Sequence, residues 1–370
     1  MACSSYVPPP RPGSPTYTAP ARQETRWLVY LATPQHDPSA SESLSADPRP
    51  SWHVSVGRAV RGAPAITESV IAVGTADRQV ALVDRSSGQV LWRTGLHGTI
   101  HGGPLIDGDR VYVATEASPS GRVYALGLKD GRVVWSTETG GIEAGLAIEG
   151  DSLYAGTETG HIMRLETREG KVQWQRQLAG AIRADPVPGP AGLAVITTAD
   201  TLYLLDAESG AVRRRVALPG TVLAPPALSQ TGIHLFAGTT AGHLLAINLI
   251  DGTFSWDVKA GDAVLAAPVL VRDTVFCLTR DGHLWLVPRD HPDSARVLPL
   301  AVVTIAGPTP LSEGAGTLVA TIAGEVLLVE PRRGDILWRA ELDGPIEQPP
   351  LVRGRELVVI GGRGDIHAYR

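Results

Sequence analysis

Groups able to do chemistry are thinly spread along this 370-residue chain. There are 10 histidines and 38 acidic residues, enough for a metal or acid–base centre, yet no histidine falls at a metal-ligand spacing. His161, His243 and His283 each follow a glycine in the related segments GHIMRL, GHLLAI and GHLWLV. One residue recurring at one repeat position reads as repeat ancestry, whereas a zinc site needs several side chains to converge. The carboxylates sit mostly in turns, as at Asp84, Asp130, Glu208 and Asp251, where they are solvated or bonded to nearby backbone. No Gly-rich phosphate loop and no Gly-x-Ser-x-Gly elbow occurs, and Thr157-Glu158-Thr159-Gly160 reads as a turn. Cys277, inside VFCLT, reads as a small buried hydrophobe. The expectation is a non-enzyme with no catalytic residue, no metal ligand and no cofactor.

The elements that would position any site follow from a repeat. GRVYALGLKDGRVVW, residues 121–135, alternates apolar residues, turns at Lys129-Asp130-Gly131 and ends in Trp135, as a β-hairpin does. The same frame ends at Trp92, Trp174, Trp256 and Trp338, and at Arg214 in TLYLLDAESGAVRR. Between hairpins lies a short apolar-x-small-x-Pro segment, reaching Pro64, Pro104, Pro186, Pro226, Pro268, Pro308 and Pro350, with Leu146 in the remaining member. These landmarks are 40 or 42 residues apart, which makes eight units. An apolar strand such as VIAVG or IHLFAG follows each landmark, so a unit carries four strands and no helical period.

Four-strand units of this length make an all-β, eight-bladed β-propeller of four-stranded antiparallel blades. The eighth unit has only three strands, and SWHVSVG, 51–57, is a spare Trp-bearing strand, so an N-terminal strand is expected to close the ring and protect its edge. Trp at 52, 92, 135, 174, 256 and 338 is expected to fill the wedge between blades. In the sixth unit HPDSARVLPL replaces the Gly-turn-Trp element, which predicts an irregular outer hairpin. The domain reading is a Pro-rich disordered tether over 1–24, a strand-like segment and linker over 25–49, and the propeller over 50–370.

The residue three before each landmark should lie at the channel mouth. Round the ring these are Arg61, His101, Glu143, Arg183, Leu223, Leu265, Ile305 and Glu347. The arc from the eighth unit through the fourth is charged or polar, and the fifth to seventh are aliphatic. Such a two-faced rim suits a protein partner, with aliphatics as anchors and charges to orient. The net charge of -5, with no Lys/Arg cluster standing out, argues against nucleic acid. No run of 18 apolar residues is present to span a membrane as a helix.

The hairpin frame resembles PQQ-type propeller repeats, close to Asp-Gly-x-hydrophobic-x-Ala-Leu-Asp-x-x-x-Gly-x-x-x-Trp. The Gly-His and Trp-Asp pairs of WD40 blades do not recur. The eight-bladed plan, the Pro-rich leader, the SWHVSVG strand and the ending GDIHAYR resemble the BamB family, lipoproteins of the outer-membrane β-barrel assembly machine. That resemblance implies a periplasmic scaffold, monomeric within a complex, whose partner is the periplasmic part of the central barrel subunit. It gives no motif on which to transfer partner-contact residues. Ala-Cys-Ser-Ser before a Pro-rich tail is similar to the start of a mature bacterial lipoprotein, with Met1 in place of a removed signal, so Cys3 is the expected lipidation site and peripheral membrane anchor. Quinoprotein dehydrogenases of this fold typically carry a vicinal Cys-Cys pair and a Glu/Asn/Asp calcium site, and no Cys-Cys pair is present. The alternatives are a propeller binding a PQQ-like small ligand and a surface or periplasmic propeller unrelated to barrel assembly.

Overall fold

The structure, a computed structural model, describes residues 26–27, 44, 47–117, 120–311 and 315–370. Cys3, the tether over 1–24 and most of the segment over 25–49 lie outside the described residues. Eight antiparallel sheets form the propeller, one per unit. In blade 1 the strands run Ala65–Ile66, Val70–Gly74, Gln79–Asp84 and Val90–Gly95 from the channel outward. Burial explains the sequence pattern. Val70–Gly74 is buried throughout, and Val90–Gly95 is mostly half-buried or exposed. The second and third strands have a neighbouring blade on each face, so they read as continuous apolar runs and not as alternation. The core is accordingly a set of wedges between blades. Tyr154 and Ile162 of blade 3, for example, pack with Leu193 and Tyr203 of blade 4.

At five seams the recurrent Trp joins one blade to the next. Trp52, Trp92, Trp135, Trp174 and Trp256 donate their indole N–H to the backbone carbonyls of Arg85, Leu128, Thr167, Ala207 and Arg289 at 2.8–3.0 Å. Each acceptor is in or beside the outer turn of the next blade. The turn glycine serves twice in this contact. Gly170 has φ +71°, and a Cβ there would lie 2.4 Å from the Trp135 ring. Arg214 replaces Trp in blade 4 and donates to Ile250 and Asp251 carbonyls at 2.9 and 2.7 Å. Arg296 does the same in blade 6, toward the Arg332 carbonyl. Blade 6 is the irregular one: a 3-10 turn over Pro292–Ser294 precedes a four-residue strand, Arg296–Pro299.

Pro50–Ser55 pairs antiparallel with Asp365–Tyr369 as the outer strand of blade 8, which closes the ring. A buried ion pair reinforces the seam. Arg85 Nε of blade 1 lies 2.7 Å from Glu356 Oε2 of blade 8, with the two residues 9% and 5% exposed. Arg370 reaches the other Glu356 oxygen at 2.8 Å. Arg26–Trp27 adds a fifth strand to blade 2, antiparallel to Leu105–Asp107 on the channel side.

Candidate functional site: the channel mouth

The segments linking one blade to the next enter the inner strands on one face of the ring. There they enclose a cavity of about 240 Å³. All eight residues selected from the repeat line it: Arg61, His101, Glu143, Arg183, Leu223, Leu265, Ile305 and Glu347. The small residues of the landmark are required by close backbone approach. A Cβ on Gly62 would sit 2.3 Å from the Gly102 backbone, and one on Gly103 would sit 2.2 Å from the Ala63 carbonyl.

The charged arc is cross-linked to the turns after the second strands. His101 Nε2 lies 2.9 Å from Glu116 Oε2. Arg183 bridges Glu158 at 2.8 Å and Glu143 at 3.5 Å, and the Glu158 contact holds its guanidinium firmly charged. The aliphatic arc continues outward. Leu223 is 38% exposed, and Val303, two residues before Ile305, and Ile322, whose N–H donates to the Val303 carbonyl at 3.1 Å, are 47% and 43% exposed.

Asp185 lines the same cavity, one residue before Pro186. Its Oδ1 accepts the Gly145 N–H at 2.6 Å. Burial pushes the carboxyl up to about 6, and the Gly145 bond only partly offsets this. The motif reading passed over Asp185, although seven of eight units carry Ala, Gly or Pro there. It also passed over Glu116 and took Glu158 only as part of a turn, although both directly follow a strand-ending Thr.

The other polar groups singled out from the sequence make local contacts within or between blades. His161, His243 and His283 open their third strands, and their backbone N–H groups donate to Thr157, Thr239 and Thr279 hydroxyls at 2.9–3.1 Å. Their rings meet Thr159, Asp257 and Asp281, each on a separate blade. Among the described residues no group of three His, Cys, Asp or Glu has metal-holding geometry. Asp84 and Asp251 bond within their own turns, Asp130 accepts the Arg132 N–H, and Glu208 pairs with Arg164. Cys277 is fully buried, which pushes its thiol up to about 12. The Arg213–Arg215 run is fully engaged: Arg213 pairs with Asp206, Arg214 holds blade 5, and Arg215 lies over the Tyr203 ring at 5.5 Å.

Comparisons with known proteins agree with this geometry. A curated relative from Nitrosomonas eutropha, "Outer membrane protein assembly factor BamB", is 31% identical over 163 residues. That match covers 42% of this chain, and the chain spans only 38% of the relative's length. The crystal structure of BamB from Moraxella catarrhalis superimposes with a TM-score of 0.71 at 18% identity, covering 87% of this chain and 99% of that one. Quinohemoprotein alcohol dehydrogenase from Comamonas testosteroni reaches 0.72 at 12% identity, covering 94% of this chain and 81% of that one. At such identities the two superpositions establish the fold alone. A family model described as "Outer membrane protein assembly factor BamB" matches residues 43–188, 179–285 and 280–370. Matched across its whole ring, the chain belongs to the family of outer membrane protein assembly factor BamB.

Proposed function

We infer that the protein is a non-catalytic interaction scaffold, an accessory factor in the assembly of outer-membrane β-barrel proteins. The carrying observation is the channel mouth, where eight blades bring a charged arc and an aliphatic arc around one cavity. Exposed Leu223, Val303 and Ile322 supply apolar anchors, and the Arg183–Glu158–Glu143 group supplies orientation. Family membership supports a partner drawn from the outer-membrane protein assembly machinery. Acylation of Cys3 would hold the ring at the outer membrane, a Pro-rich leader serving as spacer.

The test is cross-linking in native membranes followed by mass spectrometry. Recovery of a barrel protein bearing periplasmic domains, with an acylated Cys3 peptide, is the expected result. Arg183→Glu combined with Leu223→Asp should reduce that cross-link, and Leu223→Asp alone, which keeps the Arg183–Glu158–Glu143 group, should reduce it at an unchanged melting temperature. A cross-link that survives the double substitution removes the rim from the interface. Recovery of no barrel protein returns the function to small-ligand binding, with quinone plus calcium the first titration.

A further inference from the structure

Within the ring the geometry points to a binding site for a primary alkylammonium group, its charge against the Asp185 carboxylate and its carbon stem along Leu223, Leu265 and Ile305. The site shares the channel mouth with the partner-docking reading but does not depend on it.

Position is the first argument. Asp185 is the one charged residue directly before a landmark position, in a ring otherwise built of Ala, Gly and Pro at that level. The neighbouring blade makes room for it: a Cβ on Gly145 would lie 2.5 Å from Asp185 Oδ2. The cavity lining carries three acids, Glu143, Asp185 and Glu347, against two arginines, Arg61 and Arg183. Arg183, two residues away, is directed to Glu158 and Glu143 and not to Asp185. Among the described residues, the Gly145 N–H is the only donor to the Asp185 carboxylate, which leaves Oδ2 without a donor.

The chemistry of the ligand follows from that arrangement. A carboxylate withdrawn into a narrow recess gains more from a desolvated opposite charge than it would in open water. One free oxygen suits the point charge of an ammonium. A guanidinium fork would seek two coplanar acceptors, and Gly145 already occupies one. The carboxylate leans on Gly145 of blade 3, so a hydrocarbon stem leaving the charge crosses the mouth toward the aliphatic arc of blades 5 to 7, Leu223, Leu265 and Ile305. A lysine side chain of a bound protein and a free small amine share this chemistry.

The experiment titrates the full chain with n-pentylamine at pH 8, by calorimetry and ligand-observed NMR, with 1-pentanol as the uncharged isostere. Saturable one-to-one binding of the amine, absent for the alcohol, is expected. Asp185→Asn should weaken it about tenfold or more, the effect of removing one charged hydrogen bond. Leu223→Lys, at a partly exposed position, should also block the site by placing an internal ammonium beside Asp185. A parallel arm uses acetyl-Leu-Lys-Leu-amide and its Nε-acetylated twin. Asp185-dependent binding of the lysine peptide assigns the site to a protein ligand, and binding of pentylamine alone assigns it to a small amine. Equal binding of amine and alcohol, or amine and lysine-peptide binding that Asp185→Asn leaves unchanged or that never appears, overturns the proposal.

Discussion

Asp185→Asn should stabilise the fold at neutral pH, an unusual direction for removal of a hydrogen-bonded side chain. The carboxyl titrates at about 6 in the ring and near its ordinary 3.8 in the unfolded chain. Below about pH 3 both states are protonated and the group is silent. As pH rises from about 3 to about 6, the unfolded chain releases its proton first, so stability falls, and above about 6 the loss is constant. Roughly two units correspond to about 3 kcal/mol. That figure is an upper value, because the carboxylate borders the cavity and its solvent. Asparagine keeps an acceptor for Gly145 but loses the charge assistance of that bond, which returns about 1 kcal/mol. The net expectation is a gain of about 1–2 kcal/mol at pH 7.5 that vanishes by about pH 3. Urea unfolding at half-unit pH steps, followed by tryptophan fluorescence, measures it. A variant less stable than the parent at pH 7.5, or a difference that does not change with pH, would refute the assignment of Asp185 as a desolvated carboxylate.

Other expectations concern the seams. Trp135→Ala removes the bond to the Thr167 carbonyl and the packing on Gly170 and Tyr112, and should cost about 3 kcal/mol in urea unfolding. Gly170→Ala should cost about 2 kcal/mol without touching the indole itself, through positive φ and the clash with the Trp135 ring. Glu356→Ala removes the buried carboxylate shared by Arg85 and Arg370 at the closure between blades 8 and 1 while Arg85 keeps Glu68 and the Thr67 and Arg353 carbonyls, and a loss of about 2–3 kcal/mol is expected. Native-state proteolysis should then cut first beside Pro50–Ser55, and cutting elsewhere would show that the pair does not hold the seam. Cys277 should resist iodoacetamide in the folded protein and react once urea unfolds it, as read by peptide mapping.

Much of the fold was legible because a propeller is a repeated solution to one local problem. Each blade must bury two faces, turn tightly and present a large ring to its neighbour, and VIAVG, the turn glycine and Trp92 record those demands within a few dozen residues. The strand missing from the eighth unit and the spare one at Pro50–Ser55 could likewise be matched by counting. The rim was legible for the same reason, since a fixed offset from each landmark falls at a fixed place on a circle.

The sequence by itself determined the blade count, the closure and the eight positions at the mouth, because these depend on period and local pattern. Tertiary structure alone decided how those positions pair. Arg183 meets Glu158 and Asp185 meets Gly145 across separations of 25 and 40 residues, set by how adjacent blades lean together. It also decided that Arg214 and Arg296 take over the work of tryptophan, since only packing shows that a guanidinium can reach the next blade's carbonyls. Asp185 illustrates the division most directly. Its place before Pro186 is written in the repeat, but its exposure, its single donor and its aliphatic neighbours exist only once eight inner strands have converged on the channel.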